Sequence, residues 1–308
     1  MQNSGEKQDQ IDIFIVLNPI AGHASVEDIV EVIETSCKAQ NWVYEIYKTT
    51  GEENVAEITR AACQRGIKYI VAAGGDGTVA GVVNGAVHCG IPMGILPVGT
   101  GNALARTLGI PLEPKKAMDL ITGPNTLMAL DAMQVKNTFY ILNVSAGISA
   151  RTMDNTEPEQ KRRFGLVAYA WTVIRQMIGI QPHRFILEID NHRVEIDASE
   201  ILISNGEPIK EPPFPLGPRD RYSDGQFDIY IVTARTLYDY INVLWDIILF
   251  RGKRKSDLRT LTFKQQARIT TLGWPQPVQA DGEVIGITPV EVKVVPKALE
   301  VVVSSETP

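Results

Sequence analysis

The chain has 308 residues, 44% of them hydrophobic and 21% charged, enough core for one large or two medium globular domains. Thirty basic against 36 acidic residues give a formal charge of −6, which argues against nucleic acid as the main partner. Cys37, Cys63 and Cys89 show no C-x-x-C spacing and leave an odd thiol, so they fit a reduced cytosolic protein better than a disulfide frame.

The first ten residues, MQNSGEKQDQ, are polar and carry no signal-like apolar run. From Ile11 the pattern alternates strand and helix. IDIFIVL is an apolar run ended by the Asn18-Pro19 turn signal; residues 25–39 have helical spacing, and WVYEIY reads as the second strand. EENVAEITRAACQRG follows as a helix with Val55, Ile58 and Ala62 on one face and Gly66 as its stop. IKYIVAA is a third strand, TVAGVVNGAVH a helix, MGILPV a fourth strand and ALARTL the next helix. Such β-α-β-α repetition predicts a parallel sheet covered by helices, with its ligand beyond the carboxyl ends of the strands.

After about residue 125 the texture becomes β-rich: TLMALDAMQV, TFYILNVSA, RFILEI, RVEI, SEILIS, FDIYIV, LRTLTF, ARITTL and the run from Val290 to Val295. Asp190-Asn191 is a hairpin signal. These segments predict a largely antiparallel sandwich, interrupted by helices at roughly 162–178 and 236–250 and by an irregular loop, EPPFPLGP, at 211–218. The predicted domains are 1–125 and 126–295, with the tail from about 296 to 308 free to return to the first. YINVLWDIILF contains Asp246 and is shorter than the ~20 residues a membrane span needs, so the chain reads as soluble.

Two loops carry the chemistry. Gly75-x-Gly77-x-x-Ala80 satisfies a loose dinucleotide fingerprint, but it follows the third strand, and no Lys-Ser/Thr pair completes a Walker A loop. Alone it fits a tight strand-to-helix turn as well as a phosphate site. The second loop, Pro97-Val98-Gly99-Thr100-Gly101-Asn102, again joins a strand to a helix and brings Thr100 beside the Thr78 of the first. Two such loops on one sheet edge converge amides and helix N-termini on an anion.

GGDGT, then PVGTGNALAR, with LNPIAG upstream and ADGE near the end, resembles the diacylglycerol kinase catalytic-domain superfamily, from residue 11 to about 300. GGDGT alone is shared with NAD kinases. The resemblance implies an ATP-binding Rossmann-like first domain, a β-sandwich second domain and catalysis in the cleft between them. It implies ATP contacts from Asn18, Thr50, Gly74, Gly75, Asp76, Gly77, Thr78, Val79, Ala80 and Thr100, and Glu283 as the general base on a lipid hydroxyl. It also implies a structural Mg²⁺ held by Asp224 and the carbonyls of Arg221 and Gln226, with Asp131 linked to that region through hydrogen bonds. Without the other motifs, Asp281-Gly282-Glu283 reads as a hairpin turn and Asp224-Gly225 as a turn opening a strand.

Asp76 is a carboxylate among phosphate-binding glycines, and it repels phosphate unless a cation lies between, so it is expected to serve a catalytic Mg²⁺. Arg106 and Lys161 are candidates for anionic groups of acceptor or nucleotide, or are solvated helix charges. Ala103, His23 and Ser149 depart from common family patterns and leave the acceptor open. The expected activity is ATP- and Mg²⁺-dependent phosphorylation of a lipid hydroxyl by a cytoplasmic protein transiently peripheral to the membrane, with a homodimer allowed for. Kinase action on NAD or another soluble alcohol, and non-catalytic nucleotide or lipid binding, are the alternatives. The apolar helix before Arg251, Lys253, Arg254 and Lys255 is a membrane-contact candidate, though packing on its own domain is the favoured reading.

Overall fold

The structure is a computed structural model that describes residues 11–22, 25–147, 182–206, 219–236, 238–239 and 258–305. His23, Ser149, Lys161, the helix at 162–178, the loop at 211–218, nearly all of the helix at 236–250 and the basic cluster after it lie outside the described residues. The described residues fall into two compact units. The first takes those of Met1–Leu130, Lys210–Arg219 and Lys297–Pro308, the second those of Asp131–Ile209 and Asp220–Pro296. Among the described residues no helix is long and apolar enough to cross a membrane.

The first unit is a parallel sheet with strands β1 (Ile13–Leu17), β2 (Tyr44–Lys48), β3 (Tyr69–Gly74) and β4 (Met93–Pro97) in the order β2-β1-β3-β4. All five residues of β1 and of β4 are buried, as expected of strands covered on both faces. Helix α1 (Val26–Ala39) begins where Ser25 accepts the Asp28 amide at 3.0 Å, and it buries Ile29, Ile33 and Cys37 at helical spacing. Helix α2 (Val55–Cys63) begins at Asn54, whose side chain accepts from Ala56 and Glu57 and donates back to the Glu57 carboxylate at 3.0 Å. Helix α3 (Asp76–Ala86) packs on α2, and α5 (Pro114–Thr122) packs on α1. The chain steps from β1 outward to β2, then returns past β1 to β3 and β4, so the order reverses between β1 and β3. That is the switch point at which open α/β sheets bind ligands.

In the second unit, one antiparallel sheet runs β12 (Leu258–Phe263), β11 (Phe227–Val232), β10 (Glu200–Ser204), β7 (Asn143–Gly147), β14 (Pro277–Ala280), β15 (Glu283–Ile287). The other joins β16 (Val290–Val303), β13 (Gln266–Thr271), β8 (His183–Ile189) and β9 (His192–Ala198), with β5 (Thr126–Val135) on β16 and β6 (Thr138–Tyr140) on β5. Phe227, Phe263, Ile201 and Val144 of the first meet Phe185, Leu187, Ile269 and Val292 of the second in one buried cluster, which makes the unit a β-sandwich. Strand β16 serves both units: Val290–Lys293 pairs antiparallel with β13, and Val301 pairs parallel with Met93 of β4.

Several element boundaries differ from the sequence reading. TFYILNVSA is two strands, β6 and β7, because Ile141 and Leu142 leave the ladder to form a turn. Helix α5 is an additional element, as are strands β14 and β15 on either side of the Asp281-Gly282 turn. Helix α3 starts at Asp76, two residues before the predicted Thr78.

Candidate functional site

Asn18 follows β1 and Gly75 follows β3, so both stand at the switch point. The Asn18 amide nitrogen donates to Thr78 Oγ1 at 3.3 Å, while its oxygen accepts the Ile20 amide at 3.1 Å. The first turn of α3 supplies the amides of Asp76, Gly77 and Thr78, which an α-helix leaves without intrahelical partners. Val79 differs: its side chain is buried and its N–H donates to the Gly75 carbonyl at 3.0 Å. Ala80 continues that turn.

The second glycine loop is locked against the first by Asp76. One Asp76 oxygen accepts the Asn102 amide at 3.0 Å and the other accepts the Ala103 amide at 2.6 Å. The carboxylate thus sits on the first amides of helix α4 (Ala103–Thr107), and the same backbone bond is available to Ala103 as to any residue there. The glycines are needed for this approach. A Cβ on Gly99 collides with the Gly75 Cα, one on Gly101 collides with the Asp76 carboxylate, and one on Gly74 collides with Thr78. Asn102 is buried in the left-handed region (φ 54°); its oxygen accepts the Gly99 amide at 3.1 Å and its nitrogen donates to the Gly99 carbonyl at 2.7 Å. No role was read for Asn102 in the sequence, although an Asn closing a Gly-x-Gly run is a left-handed-turn signal.

Thr100 is exposed on this second loop, and Arg106 Nε donates to the Gly101 carbonyl at 2.9 Å, so Arg106 braces the loop. Thr50 lies just past β2, where Glu53 accepts the Thr50 amide at 2.9 Å and the Gly51 amide at 3.1 Å. The amides of Glu53 itself, Thr50 and Gly51 hold that carboxyl below its ordinary value, against the opposing effect of burial. Asn18, Gly74 to Thr78 and Thr100 are therefore brought together by the two interlocked loops, and Thr50 stands at the end of the strand next to β1.

In the second unit, Asp281 and Gly282 form a two-residue hairpin turn, both with positive φ (45° and 89°), joining β14 to β15. The Asp281 carboxylate accepts three amides, Ile141 at 2.8 Å, Leu142 at 2.9 Å and Asn143 at 2.8 Å. Buried Gln279 donates to Asn143 Oδ1 and Ser145 Oγ, and its oxygen accepts the Gly282 amide at 3.1 Å. Glu283 heads β15 with its side chain in solvent. Burial pushes the nearby Tyr140 phenol up, opposed by a Thr138 hydrogen bond and reinforced by the charges of Asp281 and Glu283.

At the other loop, Asp224 accepts the Gln226 amide at 3.1 Å and the Gln226 side chain at 2.8 Å. Fully buried Asp131 accepts the Gly225 amide at 2.6 Å, the expected link between Asp131 and this turn. Arg221 is the third residue of a short 3₁₀ turn, Arg219–Tyr222. The Asp224 carboxylate and the Arg221 and Gln226 carbonyls are oxygen donors, the type that a hard dication takes. Among the described residues no cluster of three or more His, Cys, Asp or Glu side chains forms a metal cage. A cavity of about 560 Å³ in the second unit, lined by Val135, Arg268, Ile285 and Ile287 among others, contains none of the predicted site residues.

Residues 12–135 match the family model of the diacylglycerol kinase catalytic domain, and 142–303 match that of the YegS C-terminal NAD kinase beta sandwich-like domain. The chain is 30% identical over 301 residues to an uncharacterized protein of Synechocystis sp., covering 93% of this chain and 69% of that one. It is 27% identical over 284 residues to the diacylglycerol kinase of Bacillus subtilis, covering 90% and 91%. A crystal structure of a diacylglycerol kinase from Bacillus anthracis superposes with a TM-score of 0.72 at 19% identity, over 98% of this chain and 100% of that one, a likeness of fold. With both family models matched in order, and the glycine loops and sandwich seen in the structure, the chain belongs to the diacylglycerol kinase-like family of lipid kinases.

Proposed function

We propose that the protein transfers the γ-phosphoryl group of ATP to a lipid hydroxyl in an Mg²⁺-dependent reaction. The observation that carries this reading is the Asp76 lock, which holds two phosphate-type glycine loops together at the switch point of the parallel sheet. The amides of Asp76, Gly77 and Thr78, with the Thr78 and Thr100 hydroxyls, bind and orient phosphate oxygens. Asn18 fixes Thr78. Glu283 accepts the proton of the lipid hydroxyl as its oxygen attacks the γ-phosphorus and ADP leaves. The Asp281 clasp sets the hairpin that presents Glu283.

Asp76 has lone pairs beyond its two amide bonds with which to meet a nucleotide-bound Mg²⁺, and Asp224 with the Arg221 and Gln226 carbonyls would hold a structural one. When bound, the nucleotide's ion neutralises charge on the β- and γ-phosphates. Arg106 steadies the second loop. The acceptor class is supported by the names of the relatives, a diacylglycerol kinase among them. Working at a bilayer surface follows from an acceptor of that kind.

The test is transfer of labelled γ-phosphate to diacylglycerol, ceramide and sphingoid bases in vesicles, with NAD as the soluble comparison. Transfer to a lipid is expected, and Glu283→Gln is expected to cut turnover by roughly 10²–10⁴-fold with ATP affinity kept. Equal turnover in the Gln variant sinks the general-base role; transfer to NAD alone sinks the lipid acceptor.

A further inference from the structure

Helices α2 and α3 both follow strands of one parallel sheet, and two close rungs join them. At the first rung, a Cβ on Gly81 would stand 2.8 Å from the Val55 Cβ. At the second, a Cβ on Gly85 would collide with Thr59, whose side chain is fully buried. Val55 and Thr59 are four residues apart, as are Gly81 and Gly85, so one i,i+4 ridge lies against another in parallel register. Four residues beyond Thr59 stands Cys63, the last residue of α2; α3 ends at Ala86, and Cys89 follows in the turn after it.

Cys89 Sγ donates to the Gly85 carbonyl at 3.1 Å, which keeps it over the second rung, and Cys89 is the strongest influence on the Cys63 thiol after burial. Both cysteines are free and partly exposed, whereas Cys37 is fully buried in α1. A disulfide needs its Cβ atoms about 3.5–4.5 Å apart. Helices close enough to forbid a Cβ at two successive rungs bring the end of α2 near the turn after α3, where Cys89 influences the Cys63 thiol.

We propose that Cys63 and Cys89 are a reversible dithiol–disulfide site that cross-links α2 to α3, the helix whose first turn is the GGDGT segment. The co-reactant is a low-molecular-weight disulfide. The Cys89 thiolate attacks one of its sulfurs, expelling one thiolate and forming a mixed disulfide. Cys63 then loses its proton to solvent and its sulfur displaces the second thiolate from Cys89. Two protein thiols are oxidised, one external disulfide is reduced to two thiols, and the Cys63–Cys89 bond forms. Burial, and after it Cys89, push the Cys63 thiol up, and Cys89 stands between exposed His88 and Gly90 in the turn after α3, so Cys89 is assigned as the attacking partner and Cys63 as the resolving one.

The experiment incubates the full-length protein in glutathione redox buffers, quenches with iodoacetamide and maps peptides by mass spectrometry. The expected product is a Cys63–Cys89 linked peptide that returns to two thiols on adding dithiothreitol, with Cys37 alkylated only after denaturation. Cys63→Ser is expected to stop at a stable glutathione adduct on Cys89, and Cys89→Ser to give neither adduct nor cross-link. Separate glutathione adducts on both cysteines without a linked peptide overturn the proposal, as do unreacted thiols at every potential tested. A glutathione adduct on Cys63 in Cys89→Ser overturns the assigned order of attack. None of these outcomes depends on kinase activity.

Discussion

Asp76 shows how one side chain can satisfy two demands. Its carboxylate bonds the amides of Asn102 and Ala103, so it is a backbone lock whether or not a cation is present. Asp76→Ala therefore leaves two partly buried amides without acceptors, at a cost of about 1–3 kcal/mol each for a buried polar group and less where water reaches them. A fall in thermal midpoint of several degrees is expected alongside lost turnover and weakened ATP binding, because the second glycine loop comes loose. Asp76→Asn keeps one acceptor oxygen and is expected to fall between Ala and wild type in stability. Calorimetry with ATP titration checks both, and an Ala variant as stable as wild type would remove the lock from the argument. The two glycine loops were legible as strand-to-helix turns because each follows an apolar run and opens a helix. The lock was not legible, since it pairs residues 26 and 27 positions apart and nothing local in GGDGT marks the partner amides.

At the scale of elements the second unit uses one device twice. Asp281 clasps three consecutive amides, Ile141 to Asn143, and Asp190 likewise accepts Lys264 at 3.1 Å, Gln265 at 2.9 Å and Gln266 at 3.0 Å. Each is an aspartate with positive φ at the first position of a hairpin turn, fixing the turn beside it. Asp190-Asn191 and Asp281-Gly282 were readable as turns from composition, yet the amides they hold lie more than seventy positions away in sequence. TFYILNVSA was read as one strand for the same reason: the turn inside it is made by Asp281, a long-range partner, and not by local glycine or proline. Burial pushes the Asp190 carboxyl up, but the Gln266, Lys264 and Gln265 amides outweigh it and hold the group below 3.8. A depressed folded value means stability that is present above 3.8 and lost as pH falls through the folded value. Asp190→Asn is accordingly expected to cost about 1 kcal/mol at pH 7, with the gap to wild type closing below pH 3.8. Urea midpoints across pH 2.5–7 measure this (a range of about four units around the ordinary aspartate value); a gap that is constant with pH excludes the clasp as its source.

For the whole molecule, chain order and compact units do not coincide. The first unit closes only when the last strand arrives, because the end of β16 lies parallel to β4 and the Ala298 carbonyl accepts the His88 amide at 3.1 Å. The sequence left the tail from about 296 free to return to the first domain, but a terminal apolar run has no periodicity that names its partner, so its place beside β4 came only from the structure. Leu299, Val301, Val302 and Val303 are all buried. Fully burying such side chains is worth roughly 1.5–3 kcal/mol each, so together they supply an amount comparable to the ~5–15 kcal/mol that holds a domain folded. A fragment ending at Leu130 lacks all four and leaves the β4 edge open, an invitation to aggregation through its unpaired amides and carbonyls. The same fragment joined through a flexible linker to residues 297–308 restores the strand. Circular dichroism during urea titration is expected to show a cooperative transition for the joined fragment and a shallow, low-midpoint or absent one for the short fragment. Equal midpoints would mean that β4 is an adequate edge by itself, and that the final strand contributes to the second unit alone.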